Sequence, residues 1–235
     1  MKLRSPIIAV TLLVVLSGCS TIKATDPFEP VNRQVFKFND TVDQYAIKPV
    51  AQGYKAVVPD PVRTAVGNFF SNLSDVWSGV NNLLQAKPGA AAESFFRFAF
   101  NSTFGILGFI DIASEAGIEK HKEDFGQTLG RWGVPAGPYL ILPIFGPSTL
   151  RDAPSLVVDI SADPVSNVND IAWRNSLTAT RLVDLRASIL DAEKVINEAS
   201  LDKYSFVRNA WLQRRQNQVY DGNPPRLKRD DDGDE

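Results

Sequence analysis

The sequence of 235 residues predicts an all-α fold. Apolar residues recur at alternating intervals of three and four in several long segments, which is the period of one helix face. The strict apolar and polar alternation of a half-buried strand is nearly absent. In addition, no stretch after residue 18 offers the run of about 18 consecutive apolar residues that a transmembrane helix needs. We therefore expect amphipathic helices and no conventional membrane-spanning helix.

The N-terminus has the features of a secretory signal. Lys2 and Arg4 precede an uncharged, predominantly apolar run at 7–16, which is too short to span a membrane as a stable helix. The tetrapeptide LSGC follows at 16–19 and has the form of a lipobox. We therefore predict a lipoprotein signal peptide at 1–18.

Cys19 is the predicted lipidation site. It is the only cysteine of the sequence, so no disulfide partner competes for its thiol. Several acyl chains on one residue would make membrane anchoring effectively permanent. The next residue is Ser20 and not Asp, which, by similarity to Gram-negative lipoproteins, implies export to the outer membrane.

The remaining chain is long enough for one domain with a sizeable core. We predict a helical domain at 19–220 and a disordered acidic tail at 221–235, because the tail carries Pro, Gly and like charges without an apolar period. The formal net charge is only −2, so there is no electrostatic basis for binding nucleic acid.

The first helix is predicted to begin near Asp26-Pro27-Phe28-Glu29, which combines a capping side chain with a proline suited to a first turn. We expect it to end before Pro49. Its apolar stripe consists of Val31, Val35, Phe38, Val42 and Tyr45.

The clearest helical pattern lies at 62–84, where apolar residues step along one face. The opposite face is polar but almost uncharged, with Asp75 as its one acid. This segment is either an ordinary packed helix or a helix whose polar face also avoids bulk water. In the second case we expect acyl chains to contact its apolar side, at Phe69, Phe70, Leu73, Val76 or Trp77.

The segment 92–109 carries phenylalanine on every side of a predicted helix, which indicates burial either in a core or in lipid. Residues 111–133 are predicted to form a polar loop. Residues 152–175 leave helix and strand unresolved, and two further helices are predicted at 177–199 and 205–220. No repeat of fixed period is present, which argues against a solenoid.

The segment GPYLILPIFGPSTLRD at 137–152 is predicted to be an ordered apolar loop. Its first ten residues carry no charge, and its prolines remove backbone donors, which argues against a regular strand or helix. Such a loop is normally buried under its own domain or placed where the solvent is not water.

Catalytic motifs are missing from the sequence. The single histidine, His121, lies in a charged loop, and no nucleophile elbow, phosphate-binding glycine loop or His/Cys metal spacing is present. Carboxylate-only chemistry stays open. We nevertheless expect no enzymatic activity, no cofactor and no metal.

Five segments together resemble the MlaA/VacJ family of outer-membrane lipoproteins. The resemblance covers nearly all of the mature chain in order. The segments are EPVNRQVFKFND (29–40), RFAFNSTFGILGFIDIA (97–113), FGQTLGRWGV (125–134), GPYLILPIFGPSTLRD (137–152) and YSFVRNAWLQRR (204–215).

The resemblance implies a ring of amphipathic helices within the inner leaflet of the outer membrane, with a central amphipathic pore. It implies a protein that extracts mislocalised phospholipids from the outer leaflet and passes them to a soluble periplasmic carrier, MlaC. It also implies association with a trimeric porin.

A phospholipid path should combine apolar walls with a few hydrogen-bonding or cationic groups. An equally open alternative is that Arg97, Arg151 and Asp152 satisfy buried backbone groups or pair internally. We expect the loop at 137–152 to form part of the wall or gate of this path. The candidate residues are Asn32, Arg33, Asn39, Arg97, Asn101, Tyr139, Leu142, Phe145, Gly146, Arg151 and Asp152.

Two other functions are compatible with the sequence. A lipid-anchored helical scaffold would pack its apolar stripes inside and stay monomeric in buffer once Cys19 is removed. A phospholipase of unfamiliar type would release fatty acid and depend on a carboxylate.

Overall fold

The computed structural model describes residues 26–225 and is largely helical, as predicted. The signal peptide, Cys19 and the tail beyond residue 225 lie outside the described residues. In chain order the elements are α1 (Glu29–Val42), α2 (Lys48–Val57), α3 (Asp60–Leu84), α4 (Pro88–Phe104), α5 (Ile112–Glu115), α6 (Phe125–Arg131), β1 (Tyr139–Leu142), β2 (Gly146–Thr149), α7 (Asp152–Ala162), α8 (Ile171–Ser188), α9 (Leu190–Ala199) and α10 (Lys203–Val219).

Helices α1 and α2 are joined by a single π-helical turn at Asp43–Ile47. The prediction that the first helix ends before Pro49 is therefore wrong, because the helical path continues through it. Pro49 lies in the first turn of α2, and the wider π turn before it accommodates a residue that has no N–H to donate.

The long helix α3 turns its polar face inward. Asn72, Asp75, Ser78, Asn81 and Asn82 are all buried, and α4 packs along this helix. Of the two interpretations of the segment at 62–84, the structure therefore supports the helix whose polar face avoids bulk water.

The stretch 111–133 is not a continuous loop, because it contains the short helices α5 and α6. Asp111 caps α5 by accepting a hydrogen bond from Ser114 N, and Asp124 caps α6 in the same way from Gln127 N. Both helices are too short to produce a recognisable apolar period, so sequence periodicity missed them.

The apolar segment at 137–152 forms a β-hairpin, so the prediction of an irregular loop is wrong. β1 and β2 pair antiparallel, with Ile141 opposite Pro147. Leu150 N donates to Pro138 O, so every second residue of β2, counted back from Leu150, is a hydrogen-bonded position of the antiparallel pair. Pro147 lies between these positions, so the absence of its N–H removes no hydrogen bond between the two strands. The three-residue turn needs left-handed backbone at Ile144 (φ 69°) and Gly146 (φ 82°).

Up to residue 225, all the secondary-structure elements after the hairpin are helices. The unresolved segment at 152–175 contains α7 and the first turn of α8. The helix predicted at 177–199 is divided at Ile189 into α8 and α9, and the last predicted helix corresponds to α10 with slightly different bounds. Among the described residues, no helix has both the length and the apolar character needed to cross a membrane.

The distribution of polar and apolar side chains is the reverse of that in a typical globular protein. Within residues 26–225, buried side chains are more often polar or charged than apolar, whereas many large apolar side chains are exposed. Phe104 is 63% exposed and Trp173 is 68% exposed, while Arg97 is fully buried. The expectation that apolar stripes pack inside, as in a scaffold protein, is therefore not met.

Candidate functional site

The hairpin is held against α1 by two asparagines on one helix face. Asn32 donates to Tyr139 O at 3.1 Å and accepts from Ile141 N at 2.9 Å. Asn39 donates to Leu142 O at 2.9 Å and accepts from Ile144 N at 2.7 Å. An asparagine side chain has both a donor and an acceptor, so each can replace one rung of a β-ladder. Both predicted candidates therefore position the hairpin.

An open cavity of about 580 Å³ lies beside the hairpin tip, which is a volume typical of small-molecule sites. Its walls are mainly apolar, and the predicted candidates Asn39, Phe145 and Gly146 line it. The helical contributions come from α1, α8, α9 and α10. Its apolar lining includes Phe36, Val42, Ile47, Ile141, Leu182, Leu185, Ile189 and Val207.

One side of this cavity carries a network of ion pairs. Arg186 Nε donates to Asp43 Oδ1 at 2.7 Å, and Arg186 also pairs with Glu193. Lys203 Nζ lies 2.6 Å from Asp40 Oδ1. Burial raises the pKa of Glu193, but hydrogen bonds from Arg186 and Lys48 outweigh burial and lower this pKa below its ordinary value. The cavity is therefore amphipathic, with a charged rim next to an apolar interior.

A second cavity of about 160 Å³ lies on the other side of the hairpin tip. Phe145 and Pro147 line both cavities, so the tip separates them. The predicted candidates Leu142 and Asp152 line the smaller cavity. The hairpin therefore forms a wall between an apolar cavity and a more polar one.

Arg215 organises the polar side of the smaller cavity. Its guanidinium donates to Asp124 at 2.6 and 2.7 Å and to Asp152 at 2.9 and 3.0 Å. Burial raises the pKa of both carboxyls, but the hydrogen bonds from Arg215 outweigh burial and lower the pKa of each below its ordinary value. Gly126 permits this approach, because a Cβ there would lie 2.3 Å from Arg215 Nη2.

The candidate pair Arg151 and Asp152 is internally satisfied. Arg151 Nε donates to Asp152 Oδ1 at 2.8 Å, and both side chains are buried. Of the alternatives open from the sequence, the structure supports internal pairing for these two residues.

Arg97 and Asn101 belong to a separate buried cluster around α3, α4 and α5. Arg97 donates to Ile118 O at 2.6 Å and to both carboxylate oxygens of Asp111 at 2.9 Å. Asn101 donates to Asp111 Oδ1 at 2.9 Å and accepts from Ala113 N at 2.9 Å. Neither residue lines the two cavities.

The remaining candidates, Arg33 in α1 and Tyr139 in β1, lie outside the two cavities. Arg33 pairs with Glu29 and Asp202 and stacks over the ring of Tyr204. Tyr139 is buried and packs against Trp211. Neither residue lines the larger or the smaller cavity.

Three cationic side chains at the cavities were not predicted. Arg186 and Arg215 lie in predicted helices, Lys203 lies between two predicted helices, and none of the three was named as a candidate. Arg186 and Lys203 could have been found from their position beside apolar helix faces, but nothing in the sequence shows that α8 and α10 converge on the hairpin. Among residues 26–225, no group of three or more potential metal ligands comes together.

The fold and the cavities define a class of protein: a helical protein with a largely polar interior, many exposed apolar side chains and an amphipathic cavity beside a hairpin. The chain belongs to the MlaA lipoprotein family, because the family model described as MlaA lipoprotein matches residues 24–218. The resemblance inferred from the sequence motifs is thereby confirmed.

Individual relatives support this assignment. The chain is 37% identical over 224 residues to the intermembrane phospholipid transport system lipoprotein MlaA of Escherichia coli K12, covering 91% of this chain and 88% of that protein. It is 33% identical to the protein of the same name from Haemophilus influenzae, covering 94% and 93%.

A solved structure is also similar. It comes from work on the structural basis for maintenance of bacterial outer membrane lipid asymmetry and shares 34% sequence identity with this chain. The two superpose with a TM-score of 0.71 over 84% of this chain and 99% of the other. The similarity therefore extends over most of the fold.

Proposed function

We propose that this protein removes mislocalised phospholipids from the outer leaflet of the outer membrane and passes them to a soluble periplasmic carrier. The single observation that carries the proposal is the inverted polarity of the fold together with its amphipathic cavity. Apolar side chains on the outside suit contact with acyl chains, and a charged rim beside an apolar interior suits a phospholipid. The relatives named for phospholipid transport support the same activity.

The helices lie within one leaflet as a ring around a pore. In support, exposed apolar side chains extend over α3, α4, α7 and α8, whereas the exposed face of α10 is largely polar, with Phe206 as its one large apolar side chain. We therefore assign the former surface to acyl chains and α10 to the aqueous side. The exposed apolar side chains include Val62, Phe96, Phe104, Leu107, Val157 and Trp173, and the exposed polar ones include Asn209, Gln213, Arg214 and Asn217.

Acyl chains on Cys19 anchor the protein on the periplasmic side of the outer membrane. The Cys19→Ala variant should lose incorporation of labelled palmitate and delivery to the outer membrane. Palmitate incorporation that persists in this variant would contradict lipidation at Cys19.

The hairpin forms the wall or gate of the lipid path. The role of a wall or gate is inferred from the position of Phe145 and Pro147 between the two cavities. Asn39 Oδ1 already accepts a hydrogen bond from Ile144 N, so a disulfide in the double variant Asn39→Cys, Ile144→Cys would pin the tip to α1. We expect the oxidised variant to stop clearing outer-leaflet phospholipid and the reduced variant to clear it. Equal clearance in both states would exclude a moving gate and leave a static wall.

The partners that we propose are an outer-membrane porin trimer and an MlaC-like periplasmic carrier. We expect the direction of transport to come from these partners or from a difference in lipid free energy between leaflets. A native pull-down of the lipidated chain should recover both proteins and phospholipid. Recovery of the chain without phospholipid would argue for a scaffold.

Membrane depth tests the central proposal most directly. Single spin labels at Phe104, Leu107 and Trp173 should be accessible to oxygen and protected from a water-soluble relaxing agent in vesicles. Labels at Gln213 and Asn217 should show the opposite. Aqueous accessibility at all five positions would contradict leaflet embedding. Fatty-acid release by the purified protein would instead support the phospholipase alternative.

A further inference from the structure

The charged rim of the larger cavity contains a hydrogen-bond donor with spare capacity. Arg186 lines the cavity, and only 11% of its side chain is exposed. Its Nε and Nη2 atoms each donate to Asp43 at 2.7 Å, and Nη2 also donates to Glu193. Its Nη1 atom is buried and donates to no side chain or carbonyl within residues 26–225. Since an unpaired buried donor is costly, this nitrogen is suited to an anionic acceptor.

The charges of the same rim are balanced. Asp40, Asp43 and Glu193 line the cavity together with Arg186 and Lys203, and Lys48 pairs with Glu193 at 3.1 Å from outside the cavity. A ligand with a single negative charge would leave this network with an uncompensated charge, whereas a zwitterionic ligand keeps it balanced. Complementarity therefore favours a ligand that carries both a phosphate and an ammonium.

Asp40 is the carboxylate best suited to the ammonium. It accepts from Lys203 Nζ at 2.6 Å and from Gln44 Nε2 at 2.9 Å, and its side chain is 30% exposed. A carboxylate has about four acceptor positions, so it retains capacity for a further donor. The apolar walls formed by Phe36, Leu182 and Leu185 begin beside this rim and can cover acyl chains.

We propose that this rim is a headgroup site for zwitterionic, amine-bearing phospholipids. The phosphodiester accepts a hydrogen bond from Arg186 Nη1, the ammonium contacts Asp40, and the acyl chains occupy the apolar part of the cavity. This inference rests on the proposed function and adds to it the lipid class that the site selects.

Lipid competition tests the proposal on the full lipidated chain in detergent micelles. Phosphatidylethanolamine and phosphatidylglycerol with identical acyl chains are supplied in equal amounts, and bound lipid is counted by native mass spectrometry. We expect wild type to retain the ethanolamine lipid in several-fold excess. Arg186→Gln should weaken retention of both lipids by roughly tenfold, and Arg186→Lys should fall between, because an ammonium lacks the guanidinium fork.

The control and the second variant separate recognition from folding. Arg181→Gln lies on the same helix, removes a cation that pairs with Asp163 outside the cavity, and should retain lipid as wild type does. Asp40→Asn should bring the ratio of the two lipids close to one without lowering total lipid. The thermal unfolding midpoint of each variant verifies that it is folded.

The outcomes distinguish a failure of the headgroup site from a failure of the proposed function. Lipid binding without headgroup preference, or unchanged binding by Arg186→Gln, would overturn the headgroup site and leave the proposed function intact. No bound phospholipid in wild type would overturn the proposed function itself. Inorganic phosphate or glycerophosphoethanolamine should fail to displace the lipid at millimolar concentration, and displacement by phosphate alone would identify a simple phosphate site instead.

Discussion

The side-chain amide of Asn39 donates a hydrogen bond of 2.9 Å to the carbonyl oxygen of Leu142. The same side chain accepts from Ile144 N, so one residue of α1 holds the end of β1 and the middle of the turn. About two turns earlier, Asn32 makes the equivalent bonds to Tyr139 and Ile141. The hairpin is therefore fixed by two separate clamps, one at its tip and one along β1.

The two clamps predict separable effects on amide hydrogen exchange. Asn39→Ala should accelerate exchange at Ile144 by about tenfold, because its amide loses its acceptor, and should leave Ile141 protected. Asn32→Ala should accelerate exchange at Ile141 instead. Equal acceleration at both amides in either variant would show that the hairpin opens as one unit.

Arg215 should be essential for stability. Arg215→Gln leaves the carboxylates of Asp124 and Asp152 without their main partner, and we expect a loss of about 3–5 kcal/mol in the free energy of unfolding. The matched control is Arg214→Gln, an exposed neighbour on the same helix, which should cost less than about 0.5 kcal/mol. Urea unfolding in detergent micelles measures both, and similar losses would contradict the role of the buried network.

Asp111 should make stability sensitive to acid. Burial raises its pKa, but hydrogen bonds from Ser114 and Asn101 outweigh burial and lower the pKa to about 2, against an ordinary value of 3.8. Because the folded state favours the ionised form, this stabilisation is full above the ordinary pKa and is lost as pH falls through about 2. The stability difference between wild type and Asp111→Asn should therefore narrow by about 2 kcal/mol between pH 6 and pH 2. A difference that does not change with pH would contradict this pKa.

Substitution by alanine should have opposite effects on stability at two glycines, one at the end of α4 and one inside α2. At Gly105 a Cβ would lie 2.1 Å from Ile110 O and 2.6 Å from Asn101 O, so Gly105→Ala should cost about 3 kcal/mol or more. At Gly53, inside α2, a Cβ would meet nothing within 4 Å, so Gly53→Ala should stabilise by up to about 1 kcal/mol. Thermal unfolding of both variants measures this contrast, and a tolerated Gly105→Ala would refute the close packing at the end of α4.

The sequence predicted the long helices because the spacing of their apolar residues is the same whether the apolar or the polar face is buried. The pattern at 62–84 defines a helix with two different faces, and only the lack of charge on its polar face indicates that this face is buried. The inverted polarity could therefore be suspected from Asn72, Asn81 and Asn82 but not established from them.

The hairpin and the cavity rim could not be predicted because they depend on contacts between distant parts of the chain. Three prolines and the uncharged run at 137–146 indicated a loop, whereas the paired geometry is stabilised by Asn32 and Asn39, about one hundred residues earlier. Arg186 meets Asp43 across 143 residues, and Lys203 meets Asp40 across 163 residues. Helical periodicity carries no information about such pairings.

The small number of buried apolar side chains has a consequence for the heat capacity of unfolding. Exposure of apolar surface to water raises heat capacity, and exposure of polar groups lowers it. In this protein many large apolar side chains are exposed before unfolding begins, and the groups that unfolding uncovers are largely amides, hydroxyls and ion pairs. The heat capacity change per residue should therefore fall below the roughly 12–15 cal/mol/K of globular proteins, which flattens the dependence of stability on temperature.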